Sequence, residues 1–227
     1  MEKIIKIISA IPVFRGLSED SLNQVRKIAK DRFYDKGRIV FSEGDEGDGF
    51  YVVADGSVKI YKVSAEGKEH ILHIYGPGSP FGEVPVFSGQ KFPANAEALI
   101  KSHLLFFSRQ TFVDLISENP SLAMNMLAVL SMRLREFTIQ IENLSLKEVP
   151  GRLASHLIYL SDEQKTEDKV LLPVSKGQLA SLLGTIPETL SRILNKMNSQ
   201  GLLEVDGRSI KLLDTHGLRE LAEHGKI

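Results

Sequence analysis

The segment from Val174 to Met197 sets Glu188, Ser191 and Arg192 along one side of a helical repeat whose other side is Leu190, Ile193, Leu194 and Met197. No base stands beside these three to make a nucleophile of any of them, so their chemistry is hydrogen bonding. A guanidinium donates bidentately to guanine O6 and N7, a carboxylate accepts from cytosine N4, and a serine hydroxyl does either. A solvated face with a Glu188–Arg192 pair four residues apart would look just as polar, but the neighbouring sequence favours a DNA groove. Ser175 is placed to cap a preceding helix carrying Leu179, Leu182 and Leu183, Gly184 supplies a tight turn, and Thr185 is placed to cap the second helix, with Pro187 near its start. Beyond it, Leu202 to Leu213 predicts a β-hairpin, or wing, turning at Asp206-Gly207. Ser175, Lys176, Thr189 and Arg208 are the candidates for phosphate contacts, which fix register without reading sequence.

Other chemistry is sparse. The chain has no cysteine, which removes disulfides, thiol switches and cysteine-ligated iron–sulfur clusters. Its acids fall mainly in turns, and no glycine-rich phosphate loop, nucleophile elbow or paired metal ligand appears. We therefore expect no catalytic residues and no enzyme.

The elements that position these residues divide by period. The 227 residues and formal charge of −1 suit two modest domains with no global basic field. Met1 to Ala10 predicts a short amphipathic helix, and later apolar runs such as Leu104 to Phe107 are far too short to span a bilayer. A soluble, cytoplasmic protein without a membrane partner is expected. From Arg32 to Phe107 short β-branched and aromatic runs alternate with turns such as Asp55-Gly56 and Glu66-Gly67, which predicts an all-β roll. After Asn119-Pro120, with Ser117 or Asn119 available as the cap, a helical pattern runs unbroken to Pro150-Gly151. Within it Leu127, Leu130, Leu134, Phe137, Ile141 and Leu144 form an a/d seam. A helix of that length spans on the order of 40 Å. It either buries its seam against its own β domain or, as we favour, pairs in a parallel homodimer. Gly151 to Ile227 then reads as a helix bearing Leu153, Leu157 and Leu160, a polar loop from Ser161 to Lys169, the two short helices, the hairpin and a terminal helix.

These motifs, in this order, resemble the CRP/FNR family of bacterial transcription regulators over nearly the whole chain. Glu43-Gly44-Asp45 to Val58 is similar to the family's β-roll signature, Phe81-Gly82-Glu83 to the start of its effector-pocket segment, and Val149-Pro-Gly-Arg-Leu-Ala154 to the approach to its DNA domain. The resemblance implies an α+β protein: a β-roll sensor of the cyclic-nucleotide-binding type over 1–118, a dimerisation helix over 119–147, and a winged helix-turn-helix domain over 148–227. It implies a homodimer on palindromic double-stranded DNA, an activator touching RNA polymerase, and a small-molecule or gas effector held by Gly82, Glu83, Pro93, Ala94, Phe137 and Thr138. Where the family's cyclic-AMP receptors carry an Arg-Ser that grips the cyclic phosphate, this chain has Pro93 and Ala94, and Phe137 and Thr138 stand where adenine would be bound. Burying a phosphate without that arginine is costly, which argues against cyclic AMP. Glu188, Ser191 and Arg192 match the Glu-x-x-Ser-Arg pattern of the FNR-type regulators and imply half-sites of the TTGA type. Leu183 to Arg192 and Phe92 to Ala98 also resemble the HcpR- and DNR-like branches, which respond to nitrosative stress in anaerobic or denitrifying bacteria, some through haem. For haem the candidates are His70, His73 and His103; the first two, an odd number apart, would point to opposite faces of a strand. A ligand-binding module acting on a partner protein without DNA binding is the alternative, distinguished by the absence of salt-dependent DNA binding.

Overall fold

A computed structural model describes residues 2–166 and 168–225; Met1, Glu167, Lys226 and Ile227, which belong to the expected first helix, polar loop and C-terminal segment, lie outside the described residues. The chain falls into two compact units, Met1–Leu134 and Arg135–Ile227, and the fold is α+β.

The first unit opens with α1 (Glu2–Ala10) and α2 (Glu19–Ile28), joined through a 3-10 turn at Pro12–Phe14. Eight strands follow: β1 (Lys30–Tyr34), β2 (Ile39–Phe41), β3 (Gly49–Asp55), β4 (Val58–Val63), β5 (Glu69–Tyr75), β6 (Pro80–Phe81), β7 (Asn95–Ala98) and β8 (Ser102–Ser108). A short helix, α3 (Val84–Ser88), interrupts them after β6. They form two antiparallel sheets, β1-β8-β3-β6 and β2-β7-β4-β5. Then come α4 (Arg109–Glu118) and α5 (Ser121–Leu146), whose residues are divided between the two units.

The period of two in β3 and β8 divides the unit's interior into two cores. Phe50, Val52 and Ala54 of β3, with Leu105 and Phe107 of β8, join Ile8, Phe14, Phe112, Leu122 and Met126 from the helices. The adjacent residues Val53 and Leu104 turn the other way and pack with Phe41, Val58, Tyr75, Phe81, Phe92 and Ala96. At Gly49 a side chain is impossible, because a Cβ would lie 2.1 Å from the Phe107 carbonyl oxygen.

The second unit contains the end of α5, then α6 (Val149–Gln164), β9 (Lys169–Leu171), α7 (Lys176–Leu182), α8 (Pro187–Ser199), β10 (Leu203–Asp206), β11 (Ser209–Leu212) and α9 (Thr215–His224). The strands form one sheet in the order β10-β11-β9. Leu153, Leu157, Val170, Leu179, Leu190, Met197, Leu203, Ile210 and Leu218 are all fully buried, so every element from α6 onward contributes a residue to this core.

Several local expectations are corrected. The break after α5 falls at Lys147 and Glu148 and not at 149–151, because proline is tolerated in the first turn of a helix and Val149-Pro150-Gly151 begins α6. Neither Ser117 nor Asn119 caps α5. The Ser117 hydroxyl bonds the Asp114 carbonyl at 2.6 Å, and the Asn119 amide accepts from Ser21 at 2.8 Å. The polar stretch begins later than Ser161, since α6 continues to Gln164 and the chain turns at Lys165, with φ of 52°. The wing turn is Gly207-Arg208, one residue beyond the expected pair, because Asp206 pairs with Ser209. Gly207, at φ 58°, supplies the positive dihedral that this position requires.

Candidate nucleic-acid interface and effector pocket

The second unit presents its polar face from α8. Ser175 opens the motif with a full capping box: its hydroxyl accepts from the Gln178 amide at 3.3 Å, and the Gln178 side chain returns to the Ser175 N–H at 2.9 Å. Gly184 adopts φ 67° between the helices. The cap of α8 is Ile186 and not Thr185, and no side chain makes a cap bond there. Pro187 at the helix start has no N–H to satisfy, and Glu188 in the first turn faces the positive end of the helix dipole.

Leu190, Leu194 and Met197 are buried and Ile193 partly so, which leaves Glu188, Ser191, Arg192 and Asn195 exposed in a row. Arg192 Nη2 donates to the Thr189 hydroxyl at 3.2 Å. The expected alternative use of this face, an ion pair between Glu188 and Arg192, is not among the ion pairs of the described residues. The phosphate candidates separate. Lys176 opens α7 and is half-buried. The Ser175 and Thr189 hydroxyls hold the local bonds just described. Arg208 donates from Nε and Nη2 to the Leu172 carbonyl, at 3.1 and 2.8 Å, so it ties the wing turn to the residue after β9.

The first unit holds the other cluster. Gly82 sits at φ 71°, and a Cβ there would press on Phe41 at 3.0 Å and Phe92 at 3.2 Å. Glu83 is ion-paired with Arg133 of α5, a residue sequence reasoning missed. The Arg133 guanidinium also donates to the Pro80 carbonyl at 2.6 Å and lies 4.8 Å from the Tyr75 ring centroid, and the residue is only 9% exposed. A carboxylate so enclosed needs a cation beside it, but nothing in the sequence around Glu83 points 50 residues on to Arg133. Pro93 is exposed, its carbonyl accepting from Lys62 Nζ at 3.1 Å, and Ala94 is buried. Phe137 is half-buried and Thr138 exposed, both on the part of α5 that belongs to the second unit.

The three histidines differ. His103 sets its Nε2 2.8 Å from Asp31 Oδ1 and stacks on Phe33 at 4.5 Å between centroids. Burial disfavours the charged form of Asp31, but the His103 hydrogen bond and Arg26 outweigh it and hold its carboxyl below the usual range. His73 lies 4.4 Å from the Tyr75 ring, and burial, with the Arg133 charge, pushes its imidazole down to about 4. His70 is half-buried on β5, opposite Lys62. Among the described residues no group of three or more histidines and acids is arranged to hold a metal ion.

On α5, Leu127, Leu134 and Ile141, spaced seven apart, are 56%, 68% and 65% exposed, and Leu144 is also exposed. Leu130 and Phe137 are half-buried, Leu130 packing partly on the helical core of its own unit. No described helix is long and apolar enough to cross a membrane.

A β-roll followed by a long helix and a winged helix-turn-helix defines an effector-binding, DNA-binding transcription regulator. Residues 31–119 match the cyclic nucleotide-binding domain and residues 151–221 the Crp-like helix-turn-helix domain. The chain is 30% identical over 211 residues to the cyclic AMP receptor protein of Thermus thermophilus, covering 93% of this chain and 96% of that one. It is 29% identical over 213 residues to the fumarate and nitrate reduction regulatory protein of Escherichia coli strain K12, covering 92% and 85%. The structure of a CooA variant from Carboxydothermus hydrogenoformans superposes with a TM-score of 0.77 at 27% identity, covering 87% of this chain and 89% of that one. The chain belongs to the CRP/FNR family of transcription regulators.

Proposed function

We propose that this protein is a homodimeric activator that reads palindromic DNA with TTGA-type half-sites and is gated by a small effector in its β-roll. The observation that carries the DNA reading is the exposed row Glu188, Ser191 and Arg192 on a helix whose opposite face is buried. Residues 1–118 act as the sensor, 119–147 as the dimerisation helix and 148–227 as the reader. The exposed Leu127, Leu134, Ile141 and Leu144 support a partner helix, since a row of large apolar side chains in water favours association. Contact with RNA polymerase and a role in nitrosative-stress or anaerobic response follow from the family resemblance.

The effector in this reading is a small molecule or gas without a phosphate. A cyclic phosphate needs a desolvated cation; Pro93 and Ala94 offer none, and Arg133 is already paired with Glu83 and bonded to the Pro80 carbonyl. His103 has its Nε2 directed at Asp31; His70 and His73, both on β5, are the other haem candidates. Fluorescence anisotropy of the full chain on a TTGA palindrome, titrated with salt, tests the DNA reading: affinity falls steeply with salt if phosphates are neutralised. Thermal melting with added cyclic AMP should leave the transition unmoved, and a rise in melting temperature would overturn the phosphate-free effector. The protein is proposed to have no enzymatic activity.

A further inference from the structure

In the reader unit, one side chain bonds two chain segments that must keep a fixed relation for DNA to be read. Arg152 lies near the start of α6. Its Nε donates to the Lys147 carbonyl at 3.0 Å, just past the last turn of α5, and its Nη1 donates to the Leu183 carbonyl at 2.7 Å. Leu183 is the C-cap of α7, three residues before the cap of α8. Carbonyls at the ends of helices lack intrahelical partners, and a planar guanidinium, with its donors in a rigid fork, holds two of them at a set separation. An ammonium on a flexible stem does not.

The joint has little slack on its other sides. Lys147 Nζ donates to the Ser155 hydroxyl at 3.2 Å. A Cβ on Gly151 would lie 2.6 Å from the Gly225 Cα, so the first turn of α6 and the cap of α9 meet backbone to backbone. A Cβ on Gly225 would in turn lie 3.5 Å from the Lys147 Cα.

We propose that Arg152 is a positioning residue for DNA recognition. It sets the direction of α8 against the last turns of α5, so that a dimer built on α5 presents two recognition helices at one fixed separation. This rests on the homodimeric DNA reading above. Half-sites one helical turn apart demand such a separation, and the loss of one brace is felt as looser spacing and not as weaker contact with each half-site.

The test uses the full chain and three duplexes: a TTGA palindrome with half-site centres about 10 base pairs apart, the same with roughly two base pairs inserted, and an unrelated sequence at low salt. Wild type should prefer the first palindrome strongly over the second. Arg152→Lys and Arg152→Gln should lower that preference about tenfold or more, while affinity for the unrelated duplex stays within about twofold. Failure of Lys to rescue, although charge and stem are kept, is the mark of the fork. If Arg152→Gln does not fold, as read by circular dichroism, the Lys variant carries the test. An unchanged spacing preference in Arg152→Lys overturns the proposal, as does a parallel fall in affinity for all three duplexes, which is what a merely structural role would give. A wild type that binds none of the duplexes, or binds both palindromes alike, sinks the underlying DNA reading instead.

Discussion

The exposed row on α8 and the Glu83–Arg133 pair are both polar clusters, yet they are built in opposite ways. Glu188, Ser191 and Arg192 lie within five residues of one another, exposed, with a local bond between Arg192 and Thr189. Glu83 and Arg133 lie 50 residues apart in sequence, meet inside the first unit, and add the Pro80 carbonyl and the Tyr75 ring to their network. A face that must meet a partner stays solvated and follows the period of its helix. A site enclosed within the fold has to neutralise its charges internally. Substitutions in the Glu83–Arg133 network should therefore act on stability, and those on the α8 face on binding.

The largest effect should come from Arg133→Ala, which leaves Glu83 buried without its cation and should destabilise the sensor unit by about 3–5 kcal/mol in chemical denaturation. Replacing both residues by leucine should cost distinctly less than that single change. Equal losses would mean that the pair is not coupled.

Acid should act next, and on both units. Burial lowers His156 of α6 to about 4, as it does His73 of β5, against 6.5 for an unperturbed imidazole. The unfolded chain therefore binds the proton first as pH falls, so stability is fully present above about 6.5 and is lost on the way down to about 4. Between pH 7 and pH 5 each unit should lose roughly 1–2 kcal/mol from its own histidine. His73→Phe should flatten the dependence in the sensor unit and leave it in the reader unit; identical pH profiles for wild type and variant would count against this.

The smallest effect belongs to the capping box. Ser175→Ala should cost about 1 kcal/mol of stability in the reader unit alone, visible as a lower denaturation midpoint of that unit with the sensor unit unchanged.

How much was legible in the sequence follows the same division. The β-roll, the long helix and the helix-turn-helix announced themselves because each has a period of its own, and the exposed row on α8 is read directly from spacing. Errors collected where one residue of register decides the outcome. Asp206 joined the strand and moved the wing turn to Gly207-Arg208, and Pro150 allowed α6 to begin earlier than its Pro-Gly pair suggests. Leu130 fits the apolar seam by spacing and also packs partly on its own core, because periodicity identifies a stripe without saying what covers it. The bonds of Arg208, in the wing turn, to the Leu172 carbonyl and of Arg133 to Glu83 depend on tertiary partners with no local trace.

The central claim is that α8 reads bases, and Arg192 tests it most directly. Anisotropy titrations at fixed salt should compare wild type and Arg192→Ala on a TTGA palindrome and on one with each guanine replaced. Wild type should prefer the intact site by about 1–3 kcal/mol per guanine, and Arg192→Ala should bind both probes alike while keeping its non-specific affinity. A variant that discriminates as well as wild type would contradict the account.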